Sequence, residues 1–341
     1  MNKNGVKILL LLSAFLVLSS GCSQKVSIKV LEPSKIQRAS IMKKISVSEF
    51  KNDSVSLSDK IETKLANKKI DGKNYFTMIS RKDFKKILDE QKIQNSGIID
   101  ISDTVEVGTL MGAEAIISGS VGNVSANDTR YYTERIACAD KKCKNFTTYR
   151  VGCVKRIVGV SADIRMSDIA KGDIIYAQTL HKTSQFFHCM DDSSVLPSKE
   201  MAAQSLADKI ADEFTDKLSP YYRYIEVSLL EKPDIDYNDK EEELLKFSLE
   251  YIRQKRYDKA QSLLIELIDS TDQKSYVAFY DLGVVKEAQQ DYESAQKYYN
   301  IADRLSVKPV EEISDAYIRI QSIIKKNRLA KDQLNSGKIN E

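Results

Sequence analysis

The sequence has no tryptophan, two histidines and five prolines in 341 residues. It contains no paired-histidine metal motif and no glycine-rich phosphate loop. Beyond residue 21, no apolar run approaches the roughly 20 residues that a membrane-spanning helix needs. An excess of one charge sign is also missing. The net charge is +3, and it falls to +1 once residues 1–21 are set aside, because they hold Lys3, Lys7 and no acid. That leaves no basic footprint for nucleic acid. His188 next to Cys189 is the nearest approach to a thiol–imidazole pair. Neighbours on a strand point to opposite faces, so Cys189 reads as a structural thiol. Asp191-Asp192 reads as a loop. The expectation is a non-enzymatic protein with no catalytic residue, no metal and no cofactor.

What is present begins at the N-terminus. Lys3 and Lys7 precede an apolar run from Ile8 to Leu18. The run has the length of a signal-peptide core and is too short to span a bilayer. Small residues, Ser19-Ser20-Gly21, then lead into Cys22. This resembles a bacterial lipobox, with Ser19 where leucine is more usual. The resemblance implies cleavage before Cys22 and lipid, palmitate included, at that residue. Ser23, in place of an aspartate, implies the outer membrane, with the chain facing the periplasm. Residues 1–21 are then an address and residues 22–41 a polar tether. In an oxidising compartment the other cysteines, Cys138, Cys143, Cys153 and Cys189, read as two disulfides rather than a four-thiolate zinc site.

From residue 42 strands and helices alternate. Strands are expected at 43–50, 75–80 and 113–121. Helices are expected at 56–70, with Ser58 as cap, and at 81–93 and 103–112. The pattern is that of an α+β or α/β domain, a helix-covered sheet, over 42–230. The stretches "ISVSEF", "FTMISRKDFKKILDEQ" and "SGIIDISDTVEVGTLMGAEAIISGSV" resemble the CsgG family of curli production assembly/transport lipoproteins. The carrying residues are Phe50, Arg81, Glu90, Gln91, Gly108, Gly112, Ala113, Gly119 and Ser120. The resemblance covers about residues 43–180 and implies a CsgG-like fold. It further implies either a non-catalytic scaffold, assembly factor or regulator, or a ring-forming secretion channel. A channel of this family would send two hairpins into the membrane. Here 129–137 carries Arg130 and Arg135, and 145–153 carries Arg150. Lysine or arginine on a lipid face costs roughly 2–4 kcal/mol at the bilayer centre. The segment 181–199 has no lipid face either, so the hairpins read as soluble.

A hairpin is expected around "DIAKGD", with Asp168 facing Asp173. Cys153 then faces position 188. A one-residue bulge near the open end would bring it to Cys189. Cys138 and Cys143 remain, enclosing "ADKK" at a hairpin tip. The competing pairing is Cys138–Cys153 with Cys143–Cys189. An amphipathic helix over 198–218 and a last strand over 221–230 close the domain.

After a linker at 231–241, residues 242–334 repeat. Tyr257 aligns with Tyr292 and Ala260 with Ala295. Phe279, Leu282, Gly283, Tyr299 and Ala302 complete a tetratricopeptide-like signature. Gly283 and Ala295 are small where paired helices approach closely. The module is all-α, with a final helix at 313–334 and a disordered tail at 335–341. Such repeats bind proteins on a concave surface. The expected partners are an envelope protein or peptide, the membrane through the lipid, and a second copy of the chain.

Overall fold

The computed structural model describes residues 24–80 and 112–336. Cys22, Arg81, Glu90, Gln91, Gly108 and the helices expected at 81–93 and 103–112 lie outside these residues. The described chain divides into two compact units, residues 33–221 with 330–336 and residues 24–32 with 222–329.

The first unit is a mixed sheet under helices. Its strands are β2 (Lys44–Val47), β5 (Thr77–Ile79), β6 (Ala115–Cys138), β7 (Phe146–Asp168) and β8 (Ile174–Cys189), in the order β5-β2-β6-β7-β8. β2 runs parallel to β5 and β6, and β6, β7 and β8 are antiparallel. A short helix α1 (Gln37–Ile41) precedes β2, and a small hairpin, β3 (Lys69–Ile70) and β4 (Lys73–Asn74), precedes β5. Two helices, α2 (Leu57–Ala66) and α3 (Lys199–Thr215), pack on each other and on the sheet. Ile61 and Leu65 of α2 meet a core that includes Ile45, Val160, Ile164, Ile210 and Phe214, all fully buried.

Lys60, Lys64 and Lys68 pair with Asp208, Asp212 and Asp216 at 3.0, 2.5 and 2.8 Å. The constant spacing of four residues on both helices means that α2 and α3 run in the same direction. The α2 cap differs from expectation. Asp53, with two charged acceptor oxygens, takes the backbone N–H of Leu57 and Ser58 and the Ser58 hydroxyl. Ser58 is therefore a first-turn residue. Gly112 has φ +66°, the left-handed conformation expected of it. Gly119 does not end its strand. A Cβ there would lie 2.4 Å from the Asp163 carbonyl oxygen and 2.8 Å from the Phe50 ring, so the glycine makes room for that aromatic.

The segments read as separate insertions are one continuous ribbon. β6 has 24 residues and β7 has 23, and they pair from Ala115–Asp168 out to Cys138–Phe146. β8 follows β7 only as far as Cys189 opposite Cys153, so 132–138 and 146–152 form a two-stranded finger beyond it.

The second unit is a helical array. It contains α4 (Asp239–Arg253), α5 (Tyr257–Ser270), α6 (Tyr276–Ala288), α7 (Tyr292–Leu305) and α8 (Glu311–Asn335), the last up to Leu329. The turns of the two helix pairs match at an offset of 35. Lys255 and Gln290 are both left-handed, with φ 59° and 63°. The bonds from Arg256 N–H to the Tyr251 carbonyl and from Asp291 N–H to the Lys286 carbonyl are 2.8 and 2.9 Å. α4 begins three residues before the expected boundary, because Asn238 and Glu241 form a reciprocal capping box.

Residues 25–32 are not a tether. They form β1 (Lys25–Glu32), which pairs with β9 (Tyr221–Ser228). Val26, Ile28 and Val30 alternate into the helical core beside Val227 and Leu229. The strand expected at 221–230 thus exists, but it belongs to this two-stranded sheet and not to the larger one. The expected linker is also fixed. Glu231 accepts the backbone N–H and side-chain amide of Gln24, and Asp234 accepts the Ser275 hydroxyl and the Tyr276 N–H.

Candidate interaction surfaces

The repeat signature is core. Ala260, Leu282, Ala295, Tyr299 and Ala302 are essentially inaccessible, Phe279 and Tyr292 are buried, and Tyr257 is half-buried against them. A Cβ on Gly283 would meet the Tyr299 ring at 2.6 Å, which is the close helix approach read from the sequence. Tyr299 also anchors a buried charge. Its hydroxyl donates to Glu287 at 2.6 Å, and Arg319 grips the same carboxylate through two nitrogens at 3.1 and 3.0 Å. Burial first, and Glu287 next, hold the Tyr299 phenol well above its usual range.

The side of the array formed by α4 and α6 is already covered. β1 packs against both helices, and ten of the thirteen residues of α6 are buried. Tyr280 donates to the Ser228 carbonyl at 2.8 Å, and Asp281 accepts the Leu230 N–H at 3.1 Å. The other Asp281 carboxylate oxygen is buried without a partner, and burial pushes the group well above the usual carboxylate range. The face of α4 and α6 that meets β1 is therefore filled by the chain's own strand.

A groove of about 800 Å³ lies open along α4. Leu245 and Leu249 form its floor, and Glu231, Asp239, Glu242, Glu243 and Glu250 stand around it with Lys246 and Arg253. Its size is that of an ordinary binding cleft, about 300–1,000 Å³.

On the sheet unit the outstanding surface is the finger. Cys153 is bonded to Cys189 and Cys138 to Cys143, the favoured pairing. The bulge sits elsewhere than expected. It leaves Ile175 unpaired between Met166–Tyr176 and Ser167–Ile174, beside the turn, because Asp168 and Asp173 close that turn tightly. At the base of the finger, Arg135 reaches Asp191 and Asp192, Asp191 accepts the Tyr149 hydroxyl, and Asp192 accepts the Cys189 N–H. Cys189, Asp191 and Asp192 cluster closely enough for a metal, but the sulfur is in a disulfide and both carboxylates are engaged.

At the tip, Asp140 accepts the backbone N–H groups of Lys142, Lys144 and Asn145. Its carboxyl is held below the usual range, first by the Lys144 bond. Among the described residues, Lys141, Lys142 and Lys144 form no ion pair, and Ile136 and Phe146 beside them are exposed. The acidic groove was not read from the sequence, although the run "DKEEE" before the α4 apolar stripe signals it.

Fold and surfaces together define a sheet-and-ribbon domain joined to a helical array. The family model for the curli production assembly/transport component CsgG matches residues 16–188. The chain belongs to the CsgG family. No curated protein matches it. Three solved structures are similar in part. The LpoB C-terminal domain from Salmonella enterica is 13% identical over 43% of this chain and 94% of that one, with TM-score 0.26. Lipoprotein GNA1162 from Neisseria meningitidis is 9% identical over 51% and 99%, with TM-score 0.26. The hypothetical protein CT253 from Chlamydia trachomatis is 13% identical over 42% and 72%, with TM-score 0.22. Scores this low carry no weight for fold or function.

Proposed function

We propose that this protein is a lipid-anchored component of the outer membrane, facing the periplasm, that binds envelope proteins through its helical module and catalyses no reaction. The observation that carries the reading is the open groove along α4, with a leucine floor and an acidic rim, on a module whose other face is filled by β1. The lipobox-like segment ending at Cys22 and membership of the CsgG family support the envelope location.

In-cell crosslinking tests it. Wild-type protein should capture a defined set of envelope partners, and Glu242→Lys with Glu250→Lys should lose them. An unchanged partner set in that variant defeats the reading.

Ribbon length favours a second reading, a secretion-channel component. β6 and β7 far exceed the roughly 9–11 residues of a spanning strand. Charge weighs against it on both faces. Glu134 lies opposite Arg150 on one face and Arg135 opposite Tyr149 on the other. Discrete openings in planar bilayers whose selectivity changes with Arg150→Glu would favour the channel.

A further inference from the structure

We propose that the lysine-tipped finger of one copy docks into the acidic groove along α4 of a second copy. The inference rests on the helical module being the binding part of the protein, and it names an occupant for its groove.

Two independent features carry it. The finger is a preorganised cationic tip. The Cys138–Cys143 bond closes the turn, and the Asp140 carboxylate is consumed by three backbone N–H groups. Its negative charge is thus turned inward while Lys141, Lys142 and Lys144 point to solvent. Two arginines of the ribbon are paired locally, Arg135 with Asp191 and Asp192 and Arg156 with Asp128. The tip gathers three lysines within four residues, none in an ion pair among the described residues. Beside it, Phe146 is 66% and Ile136 72% exposed.

The groove is the complement in charge. It sets five carboxylates against two cations, one of which, Arg253, pairs with Glu250. Lysines meeting the rim would satisfy its excess negative charge. Preorganisation of the tip limits the entropy lost on docking. Finger and groove are different surfaces, so the contact is head-to-tail and can repeat from copy to copy.

Sedimentation velocity on the mature chain, made soluble by Cys22→Ser, tests this at 0.05 and 1 M salt. Wild type should associate as concentration rises at low salt. It should dissociate at 1 M, where the Debye length is about 3 Å. A tip variant (Lys141→Glu, Lys142→Glu, Lys144→Glu) should need at least about tenfold more protein to associate, and so should a groove variant (Glu242→Lys, Glu243→Lys, Glu250→Lys). Mixed together, the two variants should associate again, because each tip then faces a groove of opposite sign. That rescue also shows that both are folded. A wild-type chain that stays monomeric at low salt overturns the proposal. So does a mixture that stays monomeric, or a variant that associates as wild type does. If self-association fails while crosslinking still captures a foreign partner that groove reversal removes, the docking inference falls and the proposed function stands.

Discussion

Replacing Arg319 with leucine isolates the buried charge that joins three helices. Glu287 on α6 is completely inaccessible. It accepts two hydrogen bonds from Arg319 on α8 and one from Tyr299 on α7. In Arg319→Leu the carboxylate stays buried and keeps only the phenol. Breaking a buried pair by removing one partner costs about 3–5 kcal/mol. The Arg319 side chain is 22% exposed, so water can reach the vacated position. Leucine also restores some apolar contact. Both effects place the expected loss near about 3 kcal/mol, a large part of the 5–15 kcal/mol typical of a domain. Urea unfolding followed by circular dichroism at 222 nm reads it, since the helices dominate that signal. The chain has two units, so the helical transition must be fitted separately. The double variant Glu287→Leu, Arg319→Leu removes the stranded charge and should recover much of the loss. A cost below about 1 kcal/mol for Arg319→Leu, or no recovery in the double variant, would refute the reasoning.

Asp281→Asn should stabilise the helical unit at pH 7. The folded carboxyl, raised by burial, keeps its proton to higher pH than the unfolded one. Its contribution is therefore favourable below the unfolded value of about 3.9 and becomes a cost as pH rises. The advantage of Asn should shrink toward pH 4, and a difference that does not change with pH contradicts this. Cys22→Ser should move the protein from outer-membrane fractions into soluble periplasm, and continued flotation at high salt would disprove lipid attachment. Non-reducing peptide maps should join Cys153 to Cys189 and Cys138 to Cys143, and a Cys138–Cys153 peptide would refute that pairing. Reducing the Cys153–Cys189 bond, which spans 36 residues, should cost about 2–4 kcal/mol by urea unfolding. Equal stability with and without reductant would show that it carries no load.

The sequence was most readable where burial imposes a period. Tyr257, Tyr292, Ala260 and Ala295 revealed the 35-residue offset because close helix packing tolerates only certain sizes there. The Cys153–Cys189 bond was readable from register to within one residue, since facing residues on a hairpin obey simple arithmetic, and Cys138–Cys143 followed only as the remaining pair. The position of the bulge was not, because Ile174 and Ile175 look alike and only the tight Asp168–Asp173 turn decides which one is left over. The full length of the ribbon was not readable for a different reason. Beyond Val121 much of β6 is exposed on both faces, so no apolar alternation marks it. β1 did alternate, at Val26, Ile28 and Val30, but Lys25, Ser27 and Lys29 alternating with them gave the segment the composition of a tether. The ladder of Lys60, Lys64 and Lys68 against Asp208, Asp212 and Asp216 was visible in spacing. It connects residues 148 apart, and charge spacing alone does not say which helices are neighbours.

The placement of β1 changes what the helical array can do. A two-pair array is near the lower limit for independent stability, since each repeat buries its apolar face only against neighbours. Here β1 and β9 supply the missing neighbour. Val26, Ile28, Val30, Val227 and Leu229 join the core that α4 and α6 would otherwise expose. The same contact removes that face from partner binding. The proposed recognition would then use the groove along α4 and the finger of the sheet unit. It also bears on the proposed anchor. Lys25 opens β1 three residues after Cys22, a reach of about 10 Å at most. A lipid on Cys22 would therefore hold the helical module, and the Gln24 end of its acidic groove, close to the membrane surface. Anionic headgroups would repel that rim, whereas a lysine-tipped finger would be attracted to it. An anchored copy thus disfavours its own membrane as the occupant of the groove and favours a cationic protein surface arriving from the periplasmic side.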